Sequence, residues 1–485
     1  MGALLSEPVT AVVVERAGAG CWSAGSATVQ GWRQSHEDAH IFVCEGGGDE
    51  ASAVFAVLDG HGGQAAALAA SRLLEERLVG MARRGTLGAA GAREELEEIF
   101  IDADAALRQL LPAGDKSGTT AVAAVVTRPR PGGYCVQIAH AGDSRAVACV
   151  GGDLASTRDH KPDHEAETKR ILAAGGSVER GASDVGPWRV DGSLATSRAL
   201  GDFVFKPPDM DPKLCKVTAL PEVLTLAECA EGDWLLLACD GVFDVMSNEE
   251  VRDFVAERLR GAGQPPPDGG DICVELLRHC LDKGSKDNCS ACLVQLHEGG
   301  ALKAHSRELL QGPWRGAKEA VQLKYTEFFM MHGFHEEALA ITQSFRRCQH
   351  PKCEYFAHSS PQNNPTHCCL RCLETPPDEE PLHGPKCQRR RVPASFPREQ
   401  AQPAEDEGQG RIWEVVGGGA TGGILVREDR DLESAKVGRL ETGATVRQLG
   451  IEGGRLHYTK VQGDGPQAGW VSIALQGREL LRWAA

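Results

Sequence analysis

Two apolar runs in this chain stop on an aspartate that is followed by glycine. In "AVFAVLDGHGG" the run 54–58 ends at Asp59, and the chain then turns through Gly60, Gly62 and Gly63. In "WLLLACDGVFD" the run 234–239 ends at Asp240 and Gly241, with Asp244 further on. Other acids take similar places. Asp143 stands at the turn of "VQIAHAGDSRAVACV", which reads as a hairpin. Asp287 precedes the apolar strand "CSACLVQL", and Glu37 and Asp38 precede "AHIFV". Any one of these acids is explained as well by an ordinary turn residue. Taken together they suggest strand ends gathered at one sheet edge, where carboxylates repel unless cations neutralise them. All-oxygen ligation suits hard cations, Mg²⁺ or Mn²⁺, and disfavours zinc.

Composition narrows the class. At about 150 residues per domain, 485 residues suggest roughly three domains. Lys and Arg number 52 against 68 Asp and Glu, a formal net charge of −16, which speaks against nucleic-acid binding. No run approaches the ~18 apolar residues of a membrane span. The opening residues show no charged region followed by an apolar one, so the expected location is cytoplasmic, with the nucleus as alternative. Seventeen cysteines, an odd number in a long chain, argue for a reducing compartment. Eleven lie singly between Cys21 and Cys292 and read as small buried hydrophobes.

Paired cations about 3.5–4 Å apart lower the pKa of a water and aim it at a phosphorus centre. Arg33, four residues before Glu37, is the candidate for bidentate binding of phosphate oxygens. His61, two residues after Asp59, is the candidate general acid, a structural turn histidine being the alternative. No cysteine has Arg six positions later, as a cysteine-nucleophile phosphatase requires, and no Gly-x₄-Gly-Lys-Ser/Thr phosphate loop occurs. "DRDLESAKVGRL" fails as a calcium loop, with Ser434 in the glycine position and Leu440 in the bidentate position.

The segments "GWRQSHEDAH", "FAVLDGHGG", "SGTTAV", "AHAGDSRAV", "TRDHKPDHEAETKRILAAGG", "VDGSLATSRALGD", "LPEV", "LLLACDGVFDVMSNEEV" and "KDNCSACLV" follow one another between about residues 22 and 297. In that order they resemble the metal-dependent serine/threonine protein phosphatases of type 2C, the PPM family. The resemblance implies an α+β fold, an αββα sandwich of two mainly antiparallel sheets flanked by helices. It implies that Asp59 bridges two ions, that Glu37 and the Gly60 carbonyl serve one, and that Asp240 and Asp287 serve the other. Asp143 with Asp240 would frame a weaker third site, and Asp38, Asp244 and Asn288 would lie behind the ligands. Arg33 would bind the substrate phosphate and His61 would protonate the leaving oxygen. A metal-activated water would then attack phosphoserine or phosphothreonine in protein substrates, with no phosphoenzyme. Thr119 and Thr120 read as packing residues, and 203–220 falls near the family's mobile flap. The rival expectation is a phosphatase-shaped scaffold acting through its C-terminal parts, which would be expected to have lost some of these acids.

The expected phosphatase domain is 22–298. Residues 301–345 read as a helical connector, with Phe328, Met331, Phe334, Leu339 and Phe345 at helical spacing. Residues 346–388 hold six cysteines and four histidines in a Pro-rich, polar stretch. Cys369-x₂-Cys372 and His383-x₃-Cys387 have zinc-ligand spacing, with Cys353, Cys348 and Cys368 as further candidates and unligated or redox-active thiols as the alternative. Residues 389–410 read as a flexible linker. Residues 411–485 resemble an SH3-like barrel of the bacterial type, and protein partners are expected through these C-terminal modules. "MGALLS" matches a myristoylation pattern at Gly2, whose single acyl chain would give reversible membrane association.

Overall fold

The computed structural model describes residues 4–45, 52–84, 91–130, 132–180, 186–260, 268–297, 303–342, 412–417, 423–427, 434–452, 455–472, 474–475 and 478–483, with residues 352, 353, 372, 375, 376, 379, 380, 383 and 387. The chain divides into two compact units, Met1–Phe396 and Pro397–Ala485.

The first unit begins with β1 (Val9–Ala19), β2 (Trp22–Gly31), β3 (Ala39–Glu45), β4 (Ser52–Leu58) and β5 (Gly60–His61), followed by helices α1 (Ala65–Arg84) and α2 (Ala92–Leu110). Next come β6 (Gly118–Thr119), β7 (Ala121–Arg130), β8 (Gly133–Ala141), β9 (Arg145–Val150), β10 (Asp153–Ser156), α3 (Glu165–Ala173), β11 (Val178–Arg180), β12 (Trp188–Val190) and β13 (Leu200–Gly201). It continues with β14 (Glu222–Cys229), β15 (Trp234–Ala238), α4 (Asp240–Phe243), α5 (Asn248–Arg260), α6 (Gly269–Asp282), β16 (Cys289–Leu296), β17 (Lys303–Leu310), α7 (Glu319–Met331) and α8 (His335–Thr342).

Two antiparallel sheets form the centre. One has the order β10-β9-β15-β16-β2-β1-β17 and the other β14-β8-β7-β4-β3. Strands β4, β15 and β16 are buried along their whole length, which is why they read as continuous apolar runs and not as alternating ones. Trp22, Phe55, Val122, Ile138, Leu237 and Val294 fill the space between the sheets. The Trp22 and Phe55 rings meet edge-to-face at 5.9 Å. On the outer face of the five-stranded sheet, α1 lays down Ala66, Ala70, Leu74 and Leu78 at four-residue spacing. On the outer face of the seven-stranded sheet, α6 buries Ile272, Leu276 and Leu277. Its start is held by Asp268, whose side chain accepts from the Gly270 and Asp271 amides at 2.8 and 3.2 Å. The layers are therefore helix, sheet, sheet, helix, as the resemblance implies.

Three local expectations change. The segment around Asp143 is no hairpin: β8 pairs with β7 and β14 in one sheet, whereas β9 pairs with β15 and β10 in the other. Both edges of each strand are already taken, so the chain crosses between sheets at Gly142, where φ is +116°. The helical reading of 301–345 fails at its start, where Lys303–Leu310 is strand β17 on the edge of β1. His305, Ser306, Arg307 and Glu308 are exposed and polar, as an edge strand requires, while Leu309 and Leu310 are half-buried; Arg307 and His305 reach Glu15 at 3.0 and 2.9 Å. The buried face of α7 and α8 is Val321, Tyr325, Phe328, Phe329, Ala338 and Ile341, packed on Val9, Ala11 and Val13 of β1. Of the expected stripe, Phe328 is buried, Met331 and Phe334 are half-buried, Leu339 is exposed, and Phe345 lies outside the described residues.

The second unit has one antiparallel sheet built from β18 (Ile412–Val415), β19 (Ile424–Arg427), β20 (Lys436–Leu440), β21 (Thr445–Glu452), β22 (Arg455–Gln462) and β23 (Ala468–Ser472), with β24 (Ala474–Leu475) and β25 (Arg478–Glu479) as a separate pair. Strand β26 (Leu481–Trp483) completes the main sheet, ordered β20-β19-β23-β22-β21-β18-β26. Val415, Val426, Leu440, Val446, Leu456 and Tyr458 form its core. The expected barrel is not closed: its edge strands β20 and β26 do not pair among the described residues.

Candidate active site

Five crossings open at one end of the sandwich. They are the turn after β2, the β4–β5 link, the β8–β9 link, the β15–α4 junction and the approach to β16. Each delivers a residue singled out from the sequence: Arg33 with Glu37, Asp59 with Gly60 and His61, Asp143, Asp240, and Asp287. All eight line one cavity of about 480 Å³. Asp59 follows a strand of one sheet, and Asp240 and Asp287 flank strands of the other, so the site exists only because the sheets are stacked.

The surrounding bonds fix these groups. Asn288 is a knot: its Oδ1 accepts from the Glu37 amide at 2.9 Å, and its Nδ2 donates to the carbonyls of Gln30 and Ser35 at 2.8 and 3.1 Å. The Glu37 carboxylate accepts from Ser35 Oγ at 2.7 Å and from the Gly63 amide at 3.0 Å. Thr120 clamps Asp59 through its hydroxyl at 3.2 Å and its amide at 2.9 Å. Gly60 is required sterically, since a Cβ there would stand 2.2 Å from the Glu37 carbonyl oxygen. Asp38 lies behind the cavity wall and accepts from Ser290 Oγ at 2.6 Å.

The acids are held at an electrostatic cost. Burial, then repulsion from Asp240 and other acids, pushes Asp59 well above the ordinary carboxylate range. Burial and Asp143 do the same to Asp240. Burial raises Asp287 against the opposing pull of Arg33, whose guanidinium pairs with its carboxylate. Burial pushes Asp38 up to about 7. Asp240 Oδ1 is buried without a hydrogen-bond partner among the described residues. Buried, mutually repelling oxygens with an orphaned acceptor fit divalent hard cations, so Glu37, Asp59, the Gly60 carbonyl, Asp240, Asp287 and Asp143 are the residues that would hold Mg²⁺ or Mn²⁺.

Two participants are absent from the sequence reading. Asp202 Oδ2 lies 2.7 Å from His61 Nε2. A three-stranded sheet, β13-β6-β5, brings them together: Gly60 and His61 pair with Thr119 and Gly118, which pair in turn with Leu200 and Gly201. Asp202 itself has φ +52°, a left-handed conformation that costs a non-glycine residue about 1–2 kcal/mol. Burial lowers the pKa of His61, but Asp202 outweighs it and the net shift is upward. The second is Lys161, from "RDHKPD", whose Nζ stands 2.5 Å from Asp143 Oδ2. Both lie within matched segments, Asp202 as the last residue of "VDGSLATSRALGD" and Lys161 inside "TRDHKPDHEAETKRILAAGG". The opposite cavity wall is Arg189 with Ser193, Leu194, Ala195 and Thr196, while none of 203–220 lines it.

The Cys/His segment also gathers. Ligand atoms of Cys353, Cys372 and His383 lie within 4.8 Å of one another, and Cys387 Sγ is 3.6 Å from His383 Nδ1. Cys369, Cys348 and Cys368 lie outside the described residues.

Residues 22–289 match the family described as Protein phosphatase 2C. The chain is 43% identical over 273 residues to "Probable protein phosphatase 1N" of Homo sapiens, covering 56% of this chain and 60% of that protein. It is 39% identical over 312 residues to a probable protein phosphatase 2C of Caenorhabditis elegans, covering 62% of this chain and 81% of the relative. A crystal structure of a phosphatase from Toxoplasma gondii superposes with a TM-score of 0.52 at 28% identity, covering 61% of this chain and 99% of that one. The matched residues hold the whole acid cluster and His61, and the chain belongs to the protein phosphatase 2C family.

Proposed function

We propose that this chain is a Mg²⁺- or Mn²⁺-dependent protein serine/threonine phosphatase acting on phosphoserine and phosphothreonine in proteins. The observation that carries this reading is the shared cavity: an all-oxygen acid cluster, an arginine, and a histidine whose pKa is raised by a buried aspartate. When bound, the ions supply charge neutralisation and water activation at neutral pH.

The chain's own groups do the rest. Arg33 offers a planar fork to two phosphate oxygens, exchanging its present partner Asp287 for substrate. His61, whose protonated form Asp202 favours, gives its proton to the departing serine or threonine oxygen. Thr120 and Asn288 hold Asp59 and Glu37 so that no reorganisation is needed when charge develops on the phosphoryl oxygens.

The accessory parts belong to the same proposal: Zn²⁺ in 346–388, an SH3-like module in 411–485 that meets protein partners, and a cytoplasmic or nuclear enzyme. Gly2 lies outside the described residues, and its acylation would add reversible membrane association.

The test is phosphate release from a phosphothreonine peptide by the full-length protein, with Mn²⁺ and with chelator. Release that needs Mn²⁺ and is lost in Asp59→Asn is expected. Equal release in chelator, or a fully active Asp59→Asn protein, would overturn the reading.

A further inference from the structure

We propose that Cys353, Cys372, His383 and Cys387 form one closed, four-ligand zinc site. This rests on reading 346–388 as a zinc module and deepens it by naming the ligands.

The geometry comes first. Zinc bound at about 2.3 Å to sulfur and 2.0–2.1 Å to nitrogen, in a tetrahedron, sets neighbouring ligand atoms about 3.3–3.8 Å apart. The 3.6 Å between Cys387 Sγ and His383 Nδ1 is such an edge. Cys353, Cys372 and His383 lie within 4.8 Å of one another, and Cys387 joins them through its contact with His383. The ligands come from three separated places in the chain, and only the pair 383 and 387 is local in sequence.

Burial is the second observation. Cys372 is 0% and Cys353 8% exposed, although the stretch around them is rich in Pro, His and charged residues. Such a stretch has too few apolar side chains to bury thiols by packing, whereas a bound metal organises it directly. Cys353, Cys372 and Cys387 are thiols and not disulfides.

The donor chemistry then chooses the ion. Three sulfurs and an imidazole are soft or borderline ligands that select zinc, while the all-oxygen cluster of the catalytic cavity selects Mg²⁺ or Mn²⁺. Four protein ligands leave no coordination position open, so the site clamps the chain and does no chemistry.

The experiment is metal analysis of the full-length protein purified under reducing conditions, with Co²⁺ exchanged for zinc. About one zinc per chain is expected, and Co²⁺ should show the visible bands of a tetrahedral ion with thiolate charge transfer. Cys353→Ser, Cys372→Ser and Cys387→Ser should each lose the metal. Cys369→Ser should keep it, and thermal unfolding would establish that the variants remain folded. Retention in Cys387→Ser together with loss in Cys369→Ser would overturn this ligand set while leaving a zinc module standing. A reduced wild-type protein without zinc would overturn both.

Discussion

His61 Nε2 and Asp202 Oδ2 stand 2.7 Å apart across a three-stranded sheet only two residues deep, and Gly118 lies directly beneath them. The contact joins residues 141 positions apart in the chain. Burial lowers the pKa of this imidazole and Asp202 raises it, and the net shift is upward, favouring the charged form.

Asp202→Asn removes that support. The pKa of His61 then falls, and a proton donor with a lower pKa is lost at lower pH. The alkaline limb of peptide turnover should shift toward acid. General-acid loss is worth about 10²–10⁴ in rate, so turnover above neutral pH should drop within that range and recover partly on acidification. A kcat–pH profile on a phosphothreonine peptide checks this, and an unmoved alkaline limb contradicts it.

Gly118→Ala should break the same contact from below. A Cβ at this position would lie 2.0 Å from Asp202 Oδ2 and 2.5 Å from His61 Nε2, distances that force one of them to move. The metal cluster is untouched, so Mn²⁺ affinity should persist. Hydrolysis of p-nitrophenyl phosphate, whose leaving group scarcely needs a proton, should suffer far less than peptide turnover. Equal losses on both substrates would place the damage elsewhere.

The acid cluster makes the metal-free protein sensitive to pH in an unusual direction. Asp38, Asp59, Asp240 and Asp287 all have folded pKa values above their ordinary ones, chiefly from burial. A raised carboxyl pKa means that protonation favours the folded state, so the stability these groups contribute is lost as pH rises. In chelator, Tm should therefore increase as pH falls from about 8 to about 7, the window set by the Asp38 value of about 7 and lying above the ordinary histidine range. Opposing groups act at lower pH. Burial lowers His36 and His140 to about 3 and also lowers His160 and His332, so the stability they contribute is lost below about pH 6.5. Glu15 and Glu167, which His40 and Arg198 pull down to about 2 against burial, act below about pH 5. Saturating Mn²⁺ should flatten the slope and stabilise most at the higher pH. A thermal-shift series with and without metal measures it, and a chelated protein that loses Tm over this window would refute it.

Phe328→Ala tests whether the segment beyond the family-matched residues belongs to the fold. The ring is 1% exposed, packs with Val9, Ala11 and Val13 of β1, and meets the His36 ring at 5.2 Å. Truncating a buried phenylalanine typically costs about 3–5 kcal/mol. A matching loss by urea unfolding is expected, and a change below about 1 kcal/mol would mean that α7 is a detachable appendage.

Much of the catalytic cluster was legible from local pattern. Asp59 and Asp240 each close a run of residues buried along the whole strand, and Glu37 and Asp287 each lie just before another strand, so short windows reveal that chain reversals there carry acids. Gly60 was legible as a turn residue, although its steric reason, the Glu37 carbonyl at 2.2 Å from a would-be Cβ, was not. Nor could local pattern state which strands pair. "VQIAHAGDSRAVACV" has every mark of a hairpin, yet β8 and β9 spend their hydrogen bonds on partners in different sheets. Lys303–Leu310 reads as part of a helical segment because no sequence window contains the β1 edge it completes. Asp202 and Lys161 carry no signal of their own, since their roles depend on His61 and Asp143 arriving beside them. What a residue can do chemically is written in its side chain and near neighbours; which distant group it meets is settled by sheet order and layer packing, where loop-closure entropy is repaid only once the whole core has formed.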